Sequence, residues 1–125
     1  MIGGCSERER RQMTLFFQLL VGHVMGDFVF QRSIMATSKN RHAEIFKTAS
    51  SRFPPWYYWM GSHAIIHGGA VFLVTGNLAL GLIETVLHFV IDYSKCEHWI
   101  GVHTDQALHI LCKLAYVYYL AQIQI

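Results

Sequence analysis

Charge is what this sequence has least of. Only 14% of its 125 residues are Asp, Glu, Lys or Arg, against roughly 25% in ordinary soluble domains. The shortage points toward a membrane setting. It also leaves a net charge of only +2, too little to support nucleic-acid binding on charge alone. Cysteine is scarce as well. Cys5, Cys96 and Cys112 show no C-x-x-C spacing, and an odd count argues against a disulfide framework. The two prolines stand together at Pro54-Pro55, so every long apolar stretch is free of helix breakers. No cleavable leader is expected, because residues 1–12 are polar and the run after them carries His and Asp.

Hydrophobic residues make up 53% of the chain, yet the mean hydropathy is only +0.29 because the ends and one connection are polar. The expected organisation is a polar segment at 1–12 and one four-helix domain over 13–125. The helices are predicted at about 13–31, 55–74, 78–93 and 104–122. Ala36–Thr48 is expected as a short surface helix in the polar connection between the first two. Pro54-Pro55 suits a helix start, and Thr104 suits an N-cap. Trp56, Tyr57, Tyr58 and Trp59, and later Tyr116, Tyr118 and Tyr119, suit a membrane–water interface. About 20 apolar residues are needed to span a bilayer. The first run, Met13–Phe30, reaches that only with its flanks.

Each apolar run carries polar residues at helical spacing. The first has His23, Asp27 and Gln31. The second has His63 and His67. The third has Glu84, His88 and Asp92, and the fourth Asp105 and His109 with Lys113 one turn on. Residues four apart lie on one helix face. Short connections favour an up-down-up-down bundle. In that topology the four polar halves fall at the same end, and the end near Thr75-Gly76-Asn77 is left apolar. Any one pair also fits an ordinary packed or hydrogen-bonded role. Four pairs in register predict one shared site.

Burying so many charges is costly unless something binds them. A divalent metal does so through carboxylates and neutral imidazoles. The candidate ligands are His23, Asp27, His63, His67, His88, Asp92, Asp105 and His109. Mixed nitrogen and oxygen donors favour Zn, Mn, Fe or Ni, as one or two ions. Glu84, Gln31, Gln106 and Lys95 are the candidates for catalytic or positioning roles. Lys113 is expected to snorkel to an interface. His42, His98 and His103 are expected to be solvated.

The combination H-x3-D-F-x2-Q (His23, Asp27, Phe28, Gln31), H-x3-H (His63, His67), H-x3-D-x2-K (His88, Asp92, Lys95) and D-Q-x2-H (Asp105, Gln106, His109) resembles the domain of unknown function 3307 family. Lys39 sits where that family usually has a lysine. The resemblance implies a small integral membrane protein of bacteria or their phages, with a polar site and no assigned reaction. A looser similarity links the pattern to membrane-bound metal-dependent hydrolases.

The expected function is a membrane metal-dependent hydrolase acting on a phosphoester or lipid-linked phosphate. The alternatives are a metal-ion or proton transporter or sensor, and a soluble all-α metal protein. Were the source a phage, the host envelope or host defence would be the natural target. Membrane lipid is the expected partner, with homo-oligomerisation compatible and no nucleic acid. The site end carries Arg32, Lys39, Arg41, Lys47, Arg52 and Lys95, against Arg8, Arg10 and Arg11 at the other. The positive-inside rule then turns the site toward the cytoplasm of a bacterial inner membrane.

Overall fold

A computed structural model describes residues 3–124. Four long helices form the bundle: α1 (Glu7–Val24), α4 (Trp56–Thr75), α5 (Leu78–Cys96) and α6 (Val102–Ile123). Two short helices, α2 (Ser33–Ser38) and α3 (Ile45–Thr48), lie in the connection between α1 and α4. No strand occurs among the described residues.

α1 starts at Glu7, ahead of the apolar run at Met13 and in line with a helix that begins in Glu7–Gln12 and continues into it. The reason is a capping box. Ser6 Oγ accepts from Glu9 N at 3.2 Å and Glu9 Oε2 accepts from Ser6 N at 2.7 Å, which satisfies two helix-end donors at once. The single surface helix expected over Ala36–Thr48 is instead two pieces parted by a turn at Asn40–Ala43. The fourth helix begins at Val102, with Gly101 as its N-cap, so Thr104 lies inside its first turn. Gly76 closes α4 at φ 67°, a left-handed cap that glycine adopts without strain. Asn77 then caps α5 through its side chain, 3.0 Å from Leu80 N.

α4 and α5 make the closest helix pair, because two glycines face each other. A Cβ on Gly68 would overlap Thr85 Oγ1 and stand 2.5 Å from the carbonyl oxygen of Gly81. A Cβ on Gly81 would stand 2.9 Å from the carbonyl oxygen of Gly68. That approach sets the spacing of the histidines on the same two helices.

The interior is divided by polarity. One layer is apolar: Leu19, Val71, Leu80, Tyr116 and Leu120. The rest of the buried side chains are largely His, Asp, Glu and Lys. The outer surface is the reverse, with Phe17, Ile65, Leu73, Val86, Val90 and Leu111 all more than half exposed. The end near Thr75 is less apolar than expected. A cavity of about 650 Å³ opens there, with Arg8, Arg11, Gln12, Thr14, Gln18 and Thr75 among its lining residues.

No helix among the described residues is long and apolar enough to cross a membrane. The expected spanning helices fall short because each gives part of its length to the polar interior. α5 contains Glu84, Asp92 and Lys95, α6 contains Asp105 and Lys113, and α4 contains His63 and His67.

Candidate metal centre

All eight predicted ligands meet at one end of the bundle, as the alternation of polar halves requires. His23 comes from the end of α1 and Asp27 from the turn that follows it, His63 and His67 from α4, His88 and Asp92 from α5, and Asp105 and His109 from α6. Seven of them are buried, His63, His88 and Asp105 completely so, and the side chain of Asp27 is 8% exposed.

Asp27 is carried by a π-helical turn, Met25–Val29, that continues α1. Single π-turns inside or at the end of α-helices frequently mark functional sites. The widened turn is closed by Phe30 N donating to Met25 O at 2.8 Å. Gly26, inside it, lets the ring of His67 come against the backbone. Asp27 Oδ1 then lies 2.9 Å from His67 Nε2, 3.2 Å from His63 Nε2 and 3.8 Å from His88 Nε2. The Nε2 atoms of His63 and His88 are 3.2 Å apart, and the rings of His67 and His88 stack at 3.6 Å.

A second group sits beside the first. His109 Nε2 is 3.1 Å from Asp92 Oδ1 and 3.4 Å from Asp105 Oδ1. Asp92 joins the groups, since its Oδ2 is 3.3 Å from His63 Nε2. His23 Nε2 lies 3.3 Å from Asp27 Oδ2 and 3.0 Å from Gln106 Oε1. Three sets of side chains have ligand atoms close enough to share an ion: Asp27, His63, His67 and His88; His23, His88 and His109; and Asp92, Asp105 and His109.

Lysines divide these carboxylates. Lys39 Nζ is 2.5 Å from Asp92 Oδ2, Lys95 Nζ is 3.5 Å from Asp105 Oδ2, and Lys113 bonds Glu84. Asp27 has four imidazoles around it and no lysine within ion-pair distance among the described residues. Its other oxygen accepts from Gln106 Nε2 at 3.1 Å.

The four candidate catalytic residues fall in different places. Gln31 is held within the protein, donating to Asp27 O at 3.1 Å and accepting from Lys39 at 2.7 Å. Gln106 bridges His23, Asp27 and Asp105. Lys95 is a quarter exposed and stands at the mouth. Glu84 lies deeper, under His88, bonded by Lys113 and by Tyr116 Oη at 2.7 Å. Lys113 therefore does not snorkel. It shares the helix face of Asp105 and His109 at the same four-residue spacing, which was the signal for its true place.

Lys39 was recognisable in sequence only through the family resemblance. It reaches Asp92 across 53 residues, a distance that no local pattern encodes. The segment that delivers it is latched from outside. Arg41 Nε is 2.5 Å from Glu97 Oε1, and His42 Nε2 is 3.1 Å from Glu97 Oε2. The hydrogen bonds from Arg41, then those from His42, hold the Glu97 carboxyl down to about 2. His42 is thus tied down despite its exposure, whereas His98 and His103 are exposed as expected.

The fold and its interior define an all-helical bundle built around a candidate metal centre of histidines and carboxylates. The chain belongs to the family of proteins of unknown function DUF3307, whose sequence pattern matches residues 15–125. No curated protein and no solved structure matches the chain.

Proposed function

We propose that this protein is a membrane-embedded, single-metal hydrolase acting on an anionic ester, a phosphoester or lipid-linked phosphate. The observation that carries the metal is the isolation of Asp27 among His63, His67 and His88. For a tetrahedral ion with bonds of about 2.0–2.1 Å, ligand atoms lie about 3.3 Å apart. Four of the ligand-to-ligand separations here are 2.9, 3.2, 3.2 and 3.8 Å. One carboxylate and three imidazoles also make a donor set suited to Zn, Mn, Fe or Ni. The remaining carboxylates already have cationic partners, so one ion is favoured over two.

A divalent ion held by these four side chains would have to accept a fifth ligand to act as a catalyst, and in that position it would lower the pKa of a bound water to about 7 or polarise an ester oxygen. The chain supplies the rest. His109 Nε2 faces carboxylate oxygens of both Asp92 and Asp105, so this ring carries a proton and would serve as a donor to the ester, not as the acceptor of a proton from water. Lys95 at the mouth positions the anionic group of the substrate, with Gln106 behind it.

The membrane reading is supported by the inverted distribution of polarity. Contiguous exposed apolar surface beyond a few hundred Å² marks contact with lipid or with other protein. Here the apolar side chains point outward from four helices while charges point inward. α4, at 20 residues, is about 30 Å long, close to the hydrocarbon thickness. Its hydropathy is lowered by His63 and His67, which face the interior and not lipid. The excess of basic residues at the site end favours an orientation with that end toward the cytoplasm of a bacterial inner membrane.

The enzymatic reading is tested with detergent-purified protein and a panel of phosphoesters. Turnover should vanish on chelation, return with one transition metal, and be absent in Asp27→Asn. Turnover that survives chelation contradicts it.

One observation favours a second reading, an ion or proton transporter. The apolar layer is shallow, two side chains deep on α1 (Leu15, Leu19), α4 (Val71, Val74) and α6 (Tyr116, Leu120). Leu19, Val71, Leu80 and Leu120 each stand four residues from His23, His67, Glu84 and Tyr116. Beyond the layer lies the far cavity, which Leu120 itself also lines. Metal or proton flux into proteoliposomes, without ester turnover, would select this reading.

A further inference from the structure

Glu84, buried together with Lys113 and Tyr116, touches only one candidate ligand, His88. We propose that Glu84 is a positioning residue for the metal: its carboxylate fixes the tautomer and tilt of His88, and Lys113 and Tyr116 hold that carboxylate in place. The inference rests on the metal reading above and assigns a role to three residues that lie outside the ligand set.

His88 Nε2 faces the cluster, 3.2 Å from His63 Nε2 and 3.8 Å from Asp27 Oδ1. The opposite nitrogen, Nδ1, faces Glu84 Oε1 at 3.4 Å, just outside the range of about 2.7–3.2 Å for N–H···O bonds. No other hydrogen-bond partner is given to this buried Nδ1 by the described residues, and the same holds for Nδ1 of His23, His63 and His109. Among these four, His88 Nδ1 has a carboxylate facing it. A proton on Nδ1 pointing at Glu84 leaves the lone pair on Nε2, where an ion needs it. Ligating histidines commonly donate their second ring nitrogen to a carboxylate in this way.

Glu84 cannot itself serve as a ligand in this arrangement. Lys113 bonds Oε1, and Tyr116 Oη donates to Oε2 at 2.7 Å. All three side chains are buried. The lysine keeps the carboxylate charged and compensated, and the tyrosine sets its rotation. One helical turn links Glu84 to His88 on α5, so the orientation passes within a single rigid element.

The test uses full-length protein in detergent and the double variant E84Q/K113M, which removes the ion pair together so that no buried charge is left alone. Two readouts are taken: metal affinity, with zinc as the probe, and the tautomer of His88 in metal-free protein by nitrogen chemical shift. The expected results are a loss of affinity of about 10–100-fold and a shift of the His88 proton away from Nδ1. Tyr116→Phe is a milder companion that keeps the pair. It should weaken zinc several-fold and move the same tautomer signal. Unchanged affinity together with an unchanged tautomer in both variants overturns the proposal. Wild type that binds no zinc while its His88 tautomer still follows Glu84 overturns the metal reading and leaves the positioning intact.

Discussion

A Cβ on Gly26 would stand 2.5 Å from Nε2 of His67. The two residues hold their places because position 26 has no side chain. Gly26→Ala must push the His67 ring away from Asp27, with backbone on one side and the stacked His88 on the other. The variant should fold as a helical protein and lose most of its metal affinity, by at least tenfold. Isothermal titration with zinc would show this, and equal affinity in Gly26→Ala would contradict the placement of His67. Gly61→Ala, where a Cβ meets nothing within 4 Å, is the matched control.

The carboxylates should separate by their lysines. Asp105→Asn removes a charge that Lys95 compensates, so the ion held at Asp27 should remain. Metal content of this variant should match wild type, although turnover should fall because His109 loses one of its two carboxylates. A variant that loses its metal would place Asp105 among the ligands and support a second ion.

Lys39→Met tests the connection between α1 and α4. It leaves Asp92, 1% exposed, with Lys95 at 3.9 Å as its remaining lysine, and breaking a buried pair costs up to about 3–5 kcal/mol. Thermal unfolding in detergent should move down sharply. Lys47→Met, in an exposed pair with Glu44, should barely register. Comparable midpoints for the two variants would show that Lys39 is not structurally coupled to Asp92.

The latch over that connection is pH-dependent in one direction. Arg41 and His42 hold the Glu97 carboxyl down to about 2, against about 4.3 in an unfolded chain. Its contribution is therefore complete above about pH 4.3 and is lost as pH falls toward 2. A carbon-13 titration of Glu97 should show a midpoint near 2 in wild type and one closer to 4 in Arg41→Gln. A wild-type midpoint already near 4 would mean that the latch is open in solution.

Much of the site was legible in the chain because helical spacing is a local property. His23–Asp27, His63–His67, His88–Asp92 and Asp105–His109 each announce a face, and the up-down order of the helices brings the faces together. What escaped depends on atoms far apart in sequence or on backbone detail. Lys39 finds Asp92 across 53 residues. The π-turn that re-aims Asp27 has no composition signal except Gly26. Lys113 looked like an interfacial lysine because its partner, Glu84, lies on another helix. Helix-averaged hydropathy is a coarse measure for a related reason: it does not distinguish a histidine facing inward, as His63 and His67 do, from one facing outward.

The central claim is that Asp27, His63, His67 and His88 hold one transition-metal ion. Elemental analysis of detergent-purified protein tests it most directly, beside Asp27→Asn prepared in the same way without chelators. One ion of Zn, Mn, Fe or Ni per chain in wild type and none in the variant is the predicted result. No ion in wild type even after each metal is offered, or an ion retained in full by Asp27→Asn, would contradict it.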